Sequence, residues 1–247
     1  GAVEFYFAAK SAGIKPLLGL EVYLAPHGRH VKGESKDGSK EPNKRMVLLA
    51  QNLEGYQNLC QISSVGYKEG FYYRPRVDYE VLQKHSGSVI ALSGGLMGDV
   101  PWTFVNKGEE AAFKKIDEIQ KIYGDRFYLE VCNTGLKAWE DVGPFLKMAS
   151  EKKGIPLVAG NDVHFMTPSD QVAQEVLICI GSNKTLQDET RYRLGSDQFY
   201  FKSPEQMRSI MESYPGACEQ TLEIAERCNL EIKVEDDEGR PIYHLPS

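Results

Sequence analysis

The sequence has no apolar run long enough to cross a membrane, no signal-peptide pattern at its amino terminus and no cysteine pair in C-x-x-C spacing. A transmembrane helix needs about 20 consecutive, mostly apolar residues. A secretory signal would show a charged segment followed by a short apolar one. Five scattered cysteines are typical of reduced thiols in a cytosolic protein. The sequence therefore predicts a cytoplasmic protein without a membrane span or a disulfide framework.

Positive charge is also scarce, because 29 Lys and Arg residues face 35 Asp and Glu residues, for a net charge of −6. A domain whose main task is to coat nucleic acid normally carries a basic stripe. That class is therefore disfavoured, whereas a domain that handles a phosphodiester through bound cations is not. The apolar content of 41% is sufficient for a sizeable core.

An initiator methionine is missing, since the chain begins Gly1-Ala2-Val3 inside a segment that reads as a helix. We expect the natural start of the protein to lie upstream. The length of 247 residues fits one large domain, or one domain with an appendage.

Strand-like and helix-like segments alternate along most of the chain. Short apolar runs occur at 46–50, 88–92, 127–131 and 155–159, and amphipathic segments lie between them, for example at 109–123. This alternation predicts a parallel α/β architecture.

Two stretches depart from the alternation. Residues 26–44 are rich in Gly, Lys, Ser, Glu and His without periodicity, which predicts a mobile, solvated loop. Beyond residue 195, a capping box at Ser203 to Gln206 and a segment at 216–228 predict helices.

The segment 155–165 carries the clearest chemical signal, because an apolar strand-like run ends in Gly160 and then presents Asp162 and His164. Side chains two residues apart on an extended backbone point to the same side. Carboxylate and imidazole are ligands that zinc, manganese and iron accept. Taken alone, the motif favours a plainer interpretation, a helix-entry aspartate beside an incidental histidine, and the metal interpretation depends on its context.

Six motifs occur in order along the chain: GIKPLLGLEVY at 13–23, GFYYRPR at 70–76, IALSG at 90–94, GNDVHF at 160–165, GSDQFY at 195–200 and TLEIAERCN at 221–229. Together they closely resemble the amino-terminal PHP (polymerase and histidinol phosphatase) domain of the alpha subunits of bacterial DNA polymerase III. The resemblance implies an α/β fold, a distorted (β/α)7 barrel that is incomplete here because its first strands would precede Gly1. It places this partial barrel at 1–195 and a short α-rich connector toward the polymerase palm at 196–247.

The resemblance also implies a function. The parent would be a DNA-directed DNA polymerase, a nucleotidyltransferase of chromosome replication, and this segment a degenerate metal-dependent 3′–5′ exonuclease that serves as a scaffold. Its partners would be DNA, the proofreading exonuclease subunit and other replisome subunits, and no membrane. The alternative is a free-standing PHP-family metal-dependent phosphatase. Residues 198–228 favour the polymerase, because they resemble the bridge into its palm.

Position by position, the resemblance implies Glu21, Asp162 and His164 as ligands of a divalent metal (Zn, Mn or Mg), and it assigns no catalytic residue. Arg45 stands where the family has a histidine, and a guanidinium cannot coordinate a cation. Gly95 stands where many relatives have a cysteine. Three ligands could hold one ion at best, so we do not expect phosphoesterase activity of this segment. His27 and His30 in the 26–44 loop are alternative ligands.

Two further features leave two interpretations open. Arg74 and Arg76, near Tyr72 and Tyr73, either contact a phosphate or form a surface stacking cluster. Glu130, at the end of a predicted strand, either supports a metal ligand or is an ordinary glutamate at the barrel rim.

Overall fold

The computed structural model describes residues 1–33, 41–235, 238–240 and 242. Residues 34–40 of the predicted mobile loop, and part of the tail after 235, lie outside the described residues. The chain forms two compact units. Unit 1 comprises Gly1–Ala91 and Ile224–Ser247, and unit 2 comprises Leu92–Glu223.

Unit 1 contains α1 (Ala2–Ser11), β1 (Gly19–Leu24), β2 (Lys44–Ala50), α2 (Leu53–Lys68), β3 (Arg76–Val77), α3 (Tyr79–Lys84) and most of β4 (Val89–Leu92). Its strands lie in the order β3-β1-β2-β4. Met46, Leu48 and Ala50 alternate along β2 and are buried, because side chains in a strand point to opposite faces in turn.

The pairing of β1 with β2 is an exception within the predicted parallel α/β architecture. These two strands are antiparallel, with Tyr23 opposite Arg45, whereas β1 and β3 are parallel. A parallel neighbour needs a crossover, usually a helix. The described part of the connection, residues 25–33 and 41–43, contains no helix, and β2 lies antiparallel beside β1.

Unit 2 contains α4 (Asp99–Lys107), α5 (Glu109–Tyr123), β5 (Phe127–Val131), α6 (Trp139–Lys153), β6 (Leu157–Ala159), α7 (Gln171–Ser182), α8 (Pro204–Ile210) and the first part of α9 (Glu219–Arg227). Strands β5 and β6 are parallel, as the alternating pattern predicted, and α6 connects them. The apolar stripe of α5, which ends at Tyr123, is buried. Ser203 and Gln206 form the capping box that was expected at the start of α8.

The described residues therefore form a mixed α/β fold, as the sequence predicted, although within neither unit do their strands close into a barrel. The division into two units does not test the boundary expected at residue 195 between barrel and connector, which stays a prediction. The described residues from 196 onward are rich in helix, and the strand-like run 199–201 makes one isolated bridge, between Tyr200 and Phe165. Within the described ranges, every helix is too short or too polar to cross a membrane.

Candidate metal centre

Asp162 and His164 meet in unit 2, just after β6. The Oδ1 atom of Asp162 lies 3.4 Å from Nε2 of His164, and both side chains are partly exposed. The strand ends at Ala159, and Asp162 adopts a left-handed backbone conformation with φ of 46°. The side chains therefore converge through a turn and not through strand alternation.

The backbone around this turn is fixed by the segment 198–202. The His164 amide donates to the Phe199 carbonyl at 2.8 Å, and the imidazole lies edge-on to the Phe199 ring, with centroids 5.4 Å apart. Asn161 donates from Nδ2 to the Tyr200 carbonyl at 2.7 Å and accepts from Lys202 Nζ at 3.0 Å. Burial lowers the pKa of Lys202. The His164 ring is therefore held by packing as well as by Asp162.

Glu130 and Cys132 form a second pair, at the end of β5. The Cys132 thiol donates to Oε1 of Glu130 over 3.6 Å, and Cys132 is buried. Burial and the nearby charge of Asp162 raise the pKa of the Glu130 carboxyl. Hydrogen bonds from the thiol and two backbone amides oppose this shift. Burial and the charges of Glu130 and Asp162 raise the pKa of the Cys132 thiol. Both shifts favour the neutral acid and the neutral thiol.

Gly160 makes this arrangement possible. A Cβ atom at Gly160 would lie 2.4 Å from Oε1 of Glu130 and 2.6 Å from Sγ of Cys132. Its amide donates to the Val131 carbonyl at 2.8 Å, which draws the end of β6 against the end of β5. A side chain at this position would separate the two strand ends.

Glu21 lies in unit 1, on β1. Its Oε1 atom is 3.6 Å from Nε of Arg45 on β2, and its side chain is half exposed. The position that the resemblance assigns to a metal-binding histidine thus holds a guanidinium that pairs with the expected glutamate ligand. Of the two loop histidines, His30 has Nε2 3.8 Å from Oε2 of Glu69, beside the ion pairs that Arg29 makes with Glu69 and Asp78.

The described side chains do not form a closed coordination shell. A structural or catalytic zinc site needs three or four ligands with free lone pairs. Across the described ranges, no group of three or more His, Cys, Asp or Glu residues is arranged to hold a metal ion. In unit 2, the Cys132 thiol bonds to the Glu130 carboxyl, and in unit 1, Glu21 faces Arg45. Gly95 has no side chain to offer, and its φ of 59° would strain a replacement.

Sequence reasoning did not anticipate the Glu130–Cys132 pair. The signal was present, because the two residues have the same spacing as Asp162 and His164 and also follow an apolar run. Glu130 is partly buried, and its carboxyl contacts a thiol in the interior of unit 2. This contact does not decide between its two interpretations, which stay predictions.

Comparison with known proteins agrees with the resemblance. The family model described as PHP domain matches residues 1–134. The chain is 38% identical to DNA polymerase III subunit alpha of Borreliella burgdorferi over 229 residues, which cover 93% of this chain and 20% of that protein. The proteins of the same name from Thermus aquaticus and Treponema pallidum are 38% and 36% identical over the whole chain and 20% and 21% of their own length. The chain thus spans about a fifth of the length of these relatives. Because the PHP family model matches more than half of its residues, the chain belongs to the PHP domain family.

Proposed function

We propose that this chain is the PHP portion of the alpha subunit of a bacterial DNA polymerase III. The parent protein would then be a DNA-directed DNA polymerase that acts in chromosome replication in the cytoplasm. The observation that carries the proposal is 36–38% identity to proteins of that name across 93–100% of this chain. The division into a partial barrel at 1–195 and a connector at 196–247 belongs to the same proposal.

Within that protein, the segment acts as a scaffold and not as an exonuclease. Metal-assisted phosphodiester cleavage needs a cation that activates water and neutralises charge on the phosphoryl oxygens. Two observations count against such a site: Glu21 faces the fixed positive charge of Arg45, and the Cys132 thiol bonds to the Glu130 carboxyl. Asp162 and His164 would remain as vestiges of a site for Zn, Mn or Mg.

The partners follow from the proposed parent. DNA would bind through the polymerase domains, and the proofreading exonuclease subunit and other replisome subunits would dock on the assembled alpha subunit.

The alternative, a free-standing PHP phosphatase, is not favoured. The PHP match ends at residue 134, but similarity to the polymerase subunits continues through the whole chain, including 198–228. A small-molecule phosphatase has no need of a segment that resembles the bridge into a polymerase palm.

The proposal is tested on the full-length polypeptide that contains this chain. Primer extension on a primed template should give primer-dependent DNA synthesis. Incubation of a labelled single strand with Mn²⁺ or Zn²⁺ should give no shortening from the 3′ end beyond that of the Asp162→Asn/His164→Asn double variant. Absence of primer extension would refute the polymerase assignment. A wild-type exonuclease activity that the double variant loses would refute the scaffold role.

A further inference from the structure

Tyr73 lies at the tip of a tight turn in unit 1 and has an unusual conformation. The Tyr72 amide donates to the Arg74 carbonyl at 3.1 Å, which leaves Tyr73 at the apex with φ of 57°. The residue is 84% exposed, and its ring contacts Tyr72 edge-on at 4.6 Å between centroids. A bulky residue with positive φ is strained, and such strain persists where a side chain serves a function. Burial in the fold does not explain a tyrosine here, because glycine would fit this backbone better.

The two arginines of the same turn have different roles. Arg76 is buried and donates to the carbonyls of Gly70, Arg29 and Val31, so it holds the turn together. Arg74 is exposed, and its guanidinium lies 5.0 Å from the centre of the Tyr23 ring and bonds the Tyr23 hydroxyl. Within the described ranges, Arg74 has no carboxylate partner.

A second guanidinium flanks the same ring. Arg45 lies opposite Tyr23 in the β1–β2 ladder, 6.0 Å from the ring centre, and Glu21 is its carboxylate partner. Among the described residues, two guanidinium groups therefore lie near the Tyr23 ring, and one of them has a carboxylate partner, on a chain whose net charge is −6. A planar guanidinium matches the geometry of a phosphate and stacks on aromatic faces.

We propose that Tyr23, Arg45, Tyr73 and Arg74 form a binding site for single-stranded DNA. The guanidinium groups of Arg45 and Arg74 hold a backbone phosphodiester, and the Tyr73 ring stacks on an unpaired base. A base within a duplex has both faces covered by its neighbours, so the exposed ring selects single strands. The choice of DNA over RNA rests on the proposed function, whereas the site itself rests on geometry alone.

The test uses the full-length polypeptide and a short thymidine oligonucleotide that carries 5-iododeoxyuridine. Irradiation at low salt should crosslink the oligonucleotide within residues 70–76, with Tyr73 as the main product by mass spectrometry. Arg74→Ala should lower this yield about tenfold, the size of one lost charge-assisted contact. The matched control Arg193→Ala removes an exposed arginine from unit 2 and should leave the yield unchanged. Tyr73→Phe retains the ring and should also crosslink.

Competitors identify the ligand. An unlabelled thymidine oligonucleotide should abolish the crosslink, whereas a duplex of equal length and inorganic phosphate at the same phosphate concentration should not.

Tyr73→Gly should unfold at the wild-type temperature or above it, because glycine relieves the positive φ. No crosslink within 70–76, a yield unaffected by Arg74→Ala, equal competition by duplex, or clear destabilisation by Tyr73→Gly would each overturn the site. Primer extension with the same preparation separates the two proposals: synthesis without the crosslink refutes only this site, and the crosslink without synthesis refutes only the polymerase assignment.

Discussion

The hydroxyl of Tyr123 is enclosed at the carboxyl end of α5, where the residue is 1% exposed. It has no hydrogen-bond partner among the described residues, and burial raises its pKa. A buried polar group without a partner costs about 1–3 kcal/mol. Tyr123→Phe should therefore raise the free energy of unfolding by about 1 kcal/mol, as measured by urea denaturation.

Tyr6→Phe is the matched control for that substitution. The Tyr6 hydroxyl is also buried, but it donates to the Leu230 carbonyl at 3.3 Å. Its removal should lower the free energy of unfolding by about 1 kcal/mol. A destabilised Tyr123→Phe variant would instead show that the Tyr123 hydroxyl has a partner in solution.

Glu130 should make the stability of the protein depend on pH. Its folded pKa lies above the ordinary value of 4.5 because of burial first and the charge of Asp162 second. Such a group contributes stability that is complete below its unfolded pKa and is lost as the pH rises through its folded pKa. Glu130→Gln keeps a neutral side chain at every pH, so the variant should be more stable than wild type at pH 8, by on the order of 1 kcal/mol. The difference should vanish near pH 4.

Thermal unfolding across this pH range measures the effect, and the exposed Glu151→Gln provides the control. That control should follow the wild-type curve at every pH. If Glu130→Gln were less stable than wild type at pH 8, the Glu130 carboxyl would have to be ionised and paired in the folded protein.

At the scale of helices and strands, hydrophobic periodicity predicted the long elements, whereas the sequence did not reveal the geometry of the turns. The stripe of α5 that ends at Tyr123 was predicted from spacing alone, because a helix 15 residues long shows its apolar face several times over. Strand β6 was expected over 155–159 but spans Leu157–Ala159. Three residues are too few to show the hydrophobic alternation of a strand. The convergence of Asp162 on His164 was predicted for a wrong reason, since it depends on a positive φ that spacing does not reveal.

The end of β6 should be intolerant of any side chain at Gly160. A Cβ there would overlap the Glu130 carboxyl and the Cys132 thiol, at 2.4 and 2.6 Å. Gly160→Ala should therefore lower the free energy of unfolding by about 1–3 kcal/mol, as overpacking does elsewhere. In contrast, Gly181 lies near the end of α7 with nothing within 4 Å of a Cβ. Gly181→Ala should stabilise the protein by about 0.5–1 kcal/mol. Calorimetry that found equal effects at the two glycines would contradict this account of the strand end.

At the scale of the whole molecule, the resemblance predicts ligand positions but does not reveal what those side chains contact. Glu21 was assigned correctly to a strand, yet its role as a ligand remains a prediction, and its neighbour is the guanidinium of Arg45. That contact depends on the antiparallel register of β1 and β2, which the alternating pattern did not predict.

Restoring the replaced ligand positions tests that assignment on the full-length polypeptide. Arg45→His removes the positive charge beside Glu21 and adds a nitrogen donor, and Gly95→Cys adds a thiol whose Cβ would lie 3.9 Å from Sγ of Cys132. The wild-type protein should retain less than one equivalent of Zn²⁺ or Mn²⁺ after dialysis, and the double variant should retain more, as measured by elemental analysis.

The φ of 59° at Gly95 should cost the variant roughly 1–2 kcal/mol of stability. Arg45→His/Gly95→Ala carries the same strain without the thiol and should retain less metal than the cysteine variant. No rise in metal content would show that Arg45 and Gly95 do not occupy ligand positions. One full equivalent in wild type, lost on Asp162→Asn, would show that the site is intact.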